Sequence, residues 1–120
     1  MNDSLLAYLQ LDKYGITALD VVHTAFQCEP EQIQPAVILL PSWKVDIFSA
    51  PDVLVKEIVP ARIHQLETQG RALTVIRTGV GAPLVGEAVL ALACSPCQDV
   101  LFAGSAGGLG NDLSIGDLLL

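Results

Sequence analysis

The chain has 120 residues, enough for one domain of ordinary size. Apolar residues make up 52% and charged residues only 16%, against about 25% charged in a typical domain, so an unusual share of the surface is expected to be covered, or the chain is less than a whole folding unit. A net charge of −7, from 13 acidic and 6 scattered basic residues, argues against a phosphate-neutralising nucleic-acid surface, and no apolar run approaches the roughly 18–20 residues of a membrane span.

Residues 3–27 read as helical. Asp3 or Ser4 caps a first segment with Leu5, Leu6, Leu9 and Leu11 as its apolar stripe, Gly15 breaks it, and Thr17 caps a second segment carrying Leu19, Val22, Ala25 and Phe26. Residues 28–35, with two prolines, read as a linker. Residues 36–40 are five consecutive apolar side chains stopped by Pro41, a strand covered on both faces. Residues 42–60 fit two patterns: a helix start around Ser49, Pro51 and Asp52, or a strand with Val53, Leu54, Val55, Ile58 and Val59. Residues 61–68 and 71–78 flank Gln69 and Gly70 as a hairpin, with Leu73 and Val75 on one face. Gly79, Val80, Gly81 and Ala82 end that strand, and Pro83 opens a helix through about Cys94, apolar enough to be buried between layers. Residues 99–103 form a short buried strand, and Gly116 and Asp117 open a last strand at Leu118, Leu119 and Leu120. The alternation predicts an α/β fold with a mainly parallel sheet.

The strongest local feature is the run Gly104, Ser105, Ala106, Gly107, Gly108 and Leu109 after a strand. Ligands of open α/β sheets bind beyond the carboxyl ends of strands, where small residues admit a ligand to the backbone N–H groups. The same run also suits a tight structural turn. It is no P-loop, because the Lys and Ser/Thr pair after the glycines is missing. Gly79, Val80 and Gly81 also follow a strand and precede a helix, but Leu84 stands where a dinucleotide fingerprint has its third glycine. The two glycine loops are expected side by side at one end of the sheet, with a positive φ at Gly107 or Gly108.

Residues 74–120 resemble the nucleoside phosphorylase and nucleosidase superfamily. The resemblance rests on Thr78, Gly79, Val80 and Gly81 before a helix, on Asp99 through Leu109, and on Leu113, Gly116 and Asp117 before an apolar strand. Residue 36 onward is similar to the N-terminal half of that domain, a mixed sheet flanked by helices, with residues 1–35 an additional helical segment and linker. The resemblance implies cleavage of the N-glycosidic bond of nucleosides, by ribosyl transfer to water or phosphate. It places substrate at Gly79, Val80, Gly81, Gly104, Ser105, Ala106 and Gly107, and assigns no catalytic residue, metal or cofactor. It further implies that the ribose-gripping glutamate and the proton donor to the base belong to a second half. The chain alone is then expected to be inactive, needing another copy or a complementing chain, or else to serve as a binding or assembly subunit.

Two departures leave the nucleophile open. Phosphorylases of the hexameric bacterial type carry Arg at the place of Phe102 and a Gly-Asp-Pro motif at the place of residues 41–44, where this chain has Pro41, Ser42, Trp43 and Lys44. The hydrolytic members use a glutamate after the first strand, where Asp46 is the nearest counterpart. Arg77 is expected to point from a strand end toward the glycine loops. Cys94 and Cys97 have redox spacing but follow a helix end and read as buried thiols, and His23 and His64 read as isolated structural residues. An acidic start without a basic region is no secretory signal, and an odd count of three cysteines suits a reducing cytoplasm.

Overall fold

The computed structural model describes residues 3–119. Met1 and Asn2, at the acidic start, and Leu120, the end of the expected last strand, lie outside the described residues, as do the side chains of Asp3 and Leu5. Three helices come first: α1 (Asp3–Leu9), α2 (Leu11–Tyr14) and α3 (Ala18–Phe26). Gly15 ends α2 in a left-handed conformation, φ 62°, its N–H donating to the Asp12 carbonyl at 3.3 Å. Thr17 then caps α3 as its sequence position predicts. Its hydroxyl accepts the Asp20 N–H at 3.1 Å, and the Asp20 carboxylate accepts the Thr17 N–H at 2.8 Å. The Thr17 side chain, and then its N–H, hold the Asp20 carboxyl below its ordinary value. A short 3-10 turn, Pro30–Gln32, lies within the linker.

Five strands follow: β1 (Ala36–Leu40), β2 (Leu54–Val59), β3 (Ile63–Thr68), β4 (Arg71–Arg77) and β5 (Asp99–Phe102). They form one sheet in the order β2-β3-β4-β1-β5. The strand reading of residues 53–59 therefore prevails over the helical one. It adds a second antiparallel pairing to the two parallel ones, giving the mixed sheet that the family resemblance implies, although the alternation of elements alone pointed to a mainly parallel one. The β3–β4 turn has φ 50° at Gln69 and 74° at Gly70, the pair of positive values that a two-residue hairpin of matching twist requires. β1 runs parallel to both neighbours, with Leu40 opposite Arg77 of β4 and Leu39 opposite Phe102 of β5.

Helix α4 (Ala82–Leu92) carries the chain from β4 to β5. Its Ala88, Ala91 and Leu92 join Val22 and Phe26 of α3 against Val37, Leu39, Ile63 and Ile76 on one face of the sheet. That cluster is the main core. The N-terminal helices share it with the sheet. On the other face Leu40, Leu66 and Val75 are covered by Val45, Phe48 and Val53. Leu73 packs against the same cluster as Val75, as alternation along β4 demands.

Two expectations of burial fail. Helix α4 is apolar nearly all round but buries one face only, leaving Leu84, Gly86 and Glu87 exposed. β5 is exposed along its whole length, with Leu101 at 55% and Phe102 at 54%. The reason is its place at the edge of the sheet: β1 pairs with one side, and among the described residues nothing pairs with the other. Residues 118 and 119 form no strand, so the strand expected there is not seen among the described residues.

Candidate functional site

The parallel strands β4, β1 and β5 all end at one edge of the sheet. Two backbone bonds extend the ladder just past the strands: Thr78 N–H donates to the Leu40 carbonyl at 3.0 Å, and Ala103 N–H to the Leu39 carbonyl at 3.0 Å. The segments leaving these strands therefore emerge together. Residues 41–44 leave the central strand, residues 78–81 leave β4 on one side, and residues 103–108 leave β5 on the other.

Gly79 and Gly81 have φ of 87° and 125°, conformations that side chains with a Cβ rarely adopt. Gly81 caps α4 without a side-chain hydrogen bond, and the first turn of α4 contains no acidic residue. The Thr78 hydroxyl donates to the Gly79 carbonyl at 2.9 Å, and Val80 projects into solvent at 76% exposure. On the β5 side Gly104 lies close to the segment leaving β1. A Cβ there would stand 3.3 Å from Pro41 Cγ and 3.7 Å from Phe102 Cε1. Ser105, Ala106 and Gly107 follow as exposed, irregular backbone.

Gly79, Val80, Gly81 and Gly104 thus share one edge, but they are not side by side. β1 lies between them, so the two loops stand roughly two strand spacings, about 10 Å, apart. The expected positive φ at Gly107 or Gly108 is also corrected: neither has it, and the left-handed glycines of this edge are Gly79 and Gly81. A Cβ on Gly107 would meet nothing within 4 Å. The signal missed in the sequence was the helix start. A glycine that must turn a strand directly into a helix is more constrained than one in an open run. A groove of about 600 Å³ lies away from this edge, lined by Leu6, Gln10, Leu11 and Ala18 of the N-terminal helices.

The family model of the phosphorylase superfamily matches residues 44–120, more than half of the chain and inclusive of both glycine loops. The chain belongs to the phosphorylase superfamily. Comparison with curated proteins and with solved structures gave no significant match. The mixed sheet flanked by helices is compatible with a phosphorylase-like fold.

The remaining polar candidates of this superfamily member sort by position. Arg77 lies at the end of β4, but its guanidinium is turned to the β2–β3 turn, where Nη1 donates to the Ala61 carbonyl at 3.2 Å. The expectation that it points to the glycine loops is therefore corrected: β3 lies on the far side of β4 from β1, and the carbonyl of Ala61 is within reach there. His64 is buried with Nε2 3.5 Å from the Glu57 carboxylate, and His23 pairs with Glu29 at 3.0 Å on the surface. Cys28, Cys94 and Cys97 are free thiols within the main core, each pushed up by burial and so held as thiols. Among the described residues no group of three His, Cys, Asp or Glu side chains gathers to hold a metal, and no helix is long and apolar enough to cross a membrane.

Proposed function

We propose that this chain receives a nucleoside at the edge where β4, β1 and β5 end, and that the site serves cleavage of the N-glycosidic bond with transfer of the ribosyl group to water or phosphate. The observation that carries this reading is the emergence of two glycine loops, both within the matched residues, from parallel strands at one edge. Gly79, Val80 and Gly81 form one wall. Gly104, Ser105, Ala106 and Gly107 form the other, where backbone N–H groups and the Ser105 hydroxyl hold the ribose and the nucleophile. As the C1′–N bond lengthens, positive charge develops on the ribose, the nucleophile's oxygen attacks C1′, and the base leaves with a proton. The loops contribute position and orientation. The base's proton donor and the carboxylate that grips the ribose are assigned to a further half of the domain, a second copy or a complementing chain, so the 120 residues bind without cleaving. The exposure of both faces of β5 supports such a covering partner. In this reading residue 36 onward forms the family unit and residues 1–35 are an addition packed on its α4 side. Three free, buried thiols suit a cytoplasmic setting.

The test offers adenosine, inosine and uridine at millimolar concentration, with and without phosphate, and follows binding by calorimetry and base release by chromatography. Binding without release is expected, weakened several-fold in Ser105→Ala. Base release that disappears in Ser105→Ala, from protein free of contaminating nucleosidase, overturns the assignment of chemistry to absent groups. Absence of binding by all three overturns the nucleoside site.

A further inference from the structure

We infer that Arg77 is a positioning residue: it holds a strained turn beside the Gly79 loop and so fixes the path by which that loop leaves the sheet; its bearing on a ligand rests on the nucleoside reading above. Because β3 runs antiparallel to β4, with Ile63 opposite Ile76, the turn joining β2 to β3 lies at the same edge as the segment leaving β4, one strand away from it. The turn is closed by the Arg62 N–H, which donates to the Val59 carbonyl at 3.0 Å. Pro60 and then Ala61 occupy its middle, and Ala61 has φ 56°. A turn in which a left-handed residue follows proline favours glycine at that place, and an alanine there is strained. Gln69, the other left-handed residue within the family match that is not a glycine, lies in the β3–β4 turn at the opposite edge.

Strain of this kind persists only where the surrounding groups fix it. Here both backbone polar groups of Ala61 are held by side chains. Its N–H donates to Glu57 Oε2 at 2.9 Å, and its carbonyl accepts from Arg77 Nη1 at 3.2 Å. Glu57 Oε2 also lies 3.5 Å from Nε2 of the buried His64, which stands opposite Glu57 across the β2–β3 pair. Arg77 meets the turn a second time through its backbone, whose N–H donates to the Arg62 carbonyl at 2.9 Å. The guanidinium reaches Ala61 at a cost, because its Nε is buried with no hydrogen-bond partner among the described residues. What the side chain adds is a tie between the turn and the last residue of β4. The next residue, Thr78, is bonded on the other side, its N–H donating to the Leu40 carbonyl at 3.0 Å, and Gly79 follows with φ 87°. The path into the wall at residues 79–81 is thus set from the β3 side through Arg77 and from the β1 side through Thr78.

Arg77→Met keeps the apolar stem and removes the donors. Hydrogen exchange of the full chain is read at two amides: Thr78, beside the loop, and Gln34, whose N–H donates to the Thr74 hydroxyl at 2.9 Å before β1 begins. Arg77→Met is expected to speed exchange at Thr78 about ten-fold and to leave Gln34 within about two-fold of the parent. Ala61→Gly removes the strain that Arg77 holds, so in that background Arg77→Met is expected to speed Thr78 by no more than about two-fold. Adenosine affinity by calorimetry follows the same order, about ten-fold weaker in Arg77→Met and restored toward the parent in the double variant. Equal acceleration at Thr78 and Gln34 overturns the positioning role, as does an unaltered Thr78 rate, or one accelerated equally with and without Ala61→Gly. The expected exchange with unchanged adenosine affinity overturns the bearing on the ligand. A parent chain that binds no adenosine overturns the nucleoside site alone, since the exchange rates decide the role of Arg77 without a ligand.

Discussion

Gly79→Ala is expected to destabilise the fold, whereas Gly107→Ala is not. At Gly79 the backbone holds φ 87°, and an added Cβ would stand 2.9 Å from Leu84 Cδ1. The left-handed conformation costs an L-residue about 1–2 kcal/mol. The contact adds little to that, because Leu84 is 44% exposed in the first turn of α4 and its terminal methyl can swing into solvent. At Gly107 φ is not positive and the space is open, so alanine brings no strain. It narrows the unfolded ensemble instead and is worth between zero and roughly 1 kcal/mol of stabilisation. Urea unfolding followed by circular dichroism, with a slope of about 2 kcal/mol per molar for a domain of this size, separates the two. Gly79→Ala lowers the midpoint by about 0.5–1 M, and Gly107→Ala leaves it in place or raises it slightly. A Gly79→Ala midpoint equal to that of the parent chain, or an equal loss in Gly107→Ala, refutes the assignment of the constrained turn to the start of α4.

Thr17→Ala removes the cap of α3 and is expected to cost about 1 kcal/mol. The Asp20 carboxyl is lowered in the fold by the same cap. Its contribution is therefore complete above the unfolded carboxyl value and is lost as pH falls through the lowered folded value. The gap between the unfolding midpoints of parent and Thr17→Ala should narrow as pH falls from 7 through the lowered value of Asp20, without closing, because the bond from the Asp20 N–H to the Thr17 hydroxyl does not titrate, and a constant gap contradicts the linkage. The exposed apolar side chains of β5 predict association: sedimentation at micromolar concentration should give a mass above that of one chain, reduced toward it by Leu101→Lys. A stable, cooperatively folded monomer at that concentration sinks this prediction.

What was legible in the residues was whatever is decided locally. Thr17 and Asp20 are three apart and cap each other without help from the rest of the chain. Gln69 and Gly70 between alternating β-prone segments dictate the β3–β4 turn. The helix after Pro83 and the strand at residues 99–102 appear where their patterns place them. Expectations failed where the answer depends on a distant neighbour. The apolar content of residues 99–103 says that the strand is suited to burial, but only sheet order reveals that one side of it has no partner. Arg77 follows the same logic: its reach toward Ala61 comes from the antiparallel placement of β3, not from its distance along the chain to Gly79. Glycine counts likewise mark where backbone freedom is available. They do not say which glycine uses it, and here Gly79 and Gly81 do while the richer run at 104–108 does not.

The attachment of β5 by a single side has a consequence for how the site becomes ordered. β5 is tied to β1 through four residue positions, and its N–H and C=O groups on the other side meet only solvent among the described residues. Its amides should therefore exchange with deuterium through local opening at a small fraction of the free energy that protects β1, Val75 and Ile76. Gly104 and Ser105 inherit that opening, because they continue directly from β5. Any molecule that covers β5 slows the exchange and raises the affinity of the adjoining loop for its ligand by the factor through which it removes the open population. Occupancy of the strand edge and occupancy of the proposed nucleoside site are in that sense thermodynamically linked, without a moving part between them.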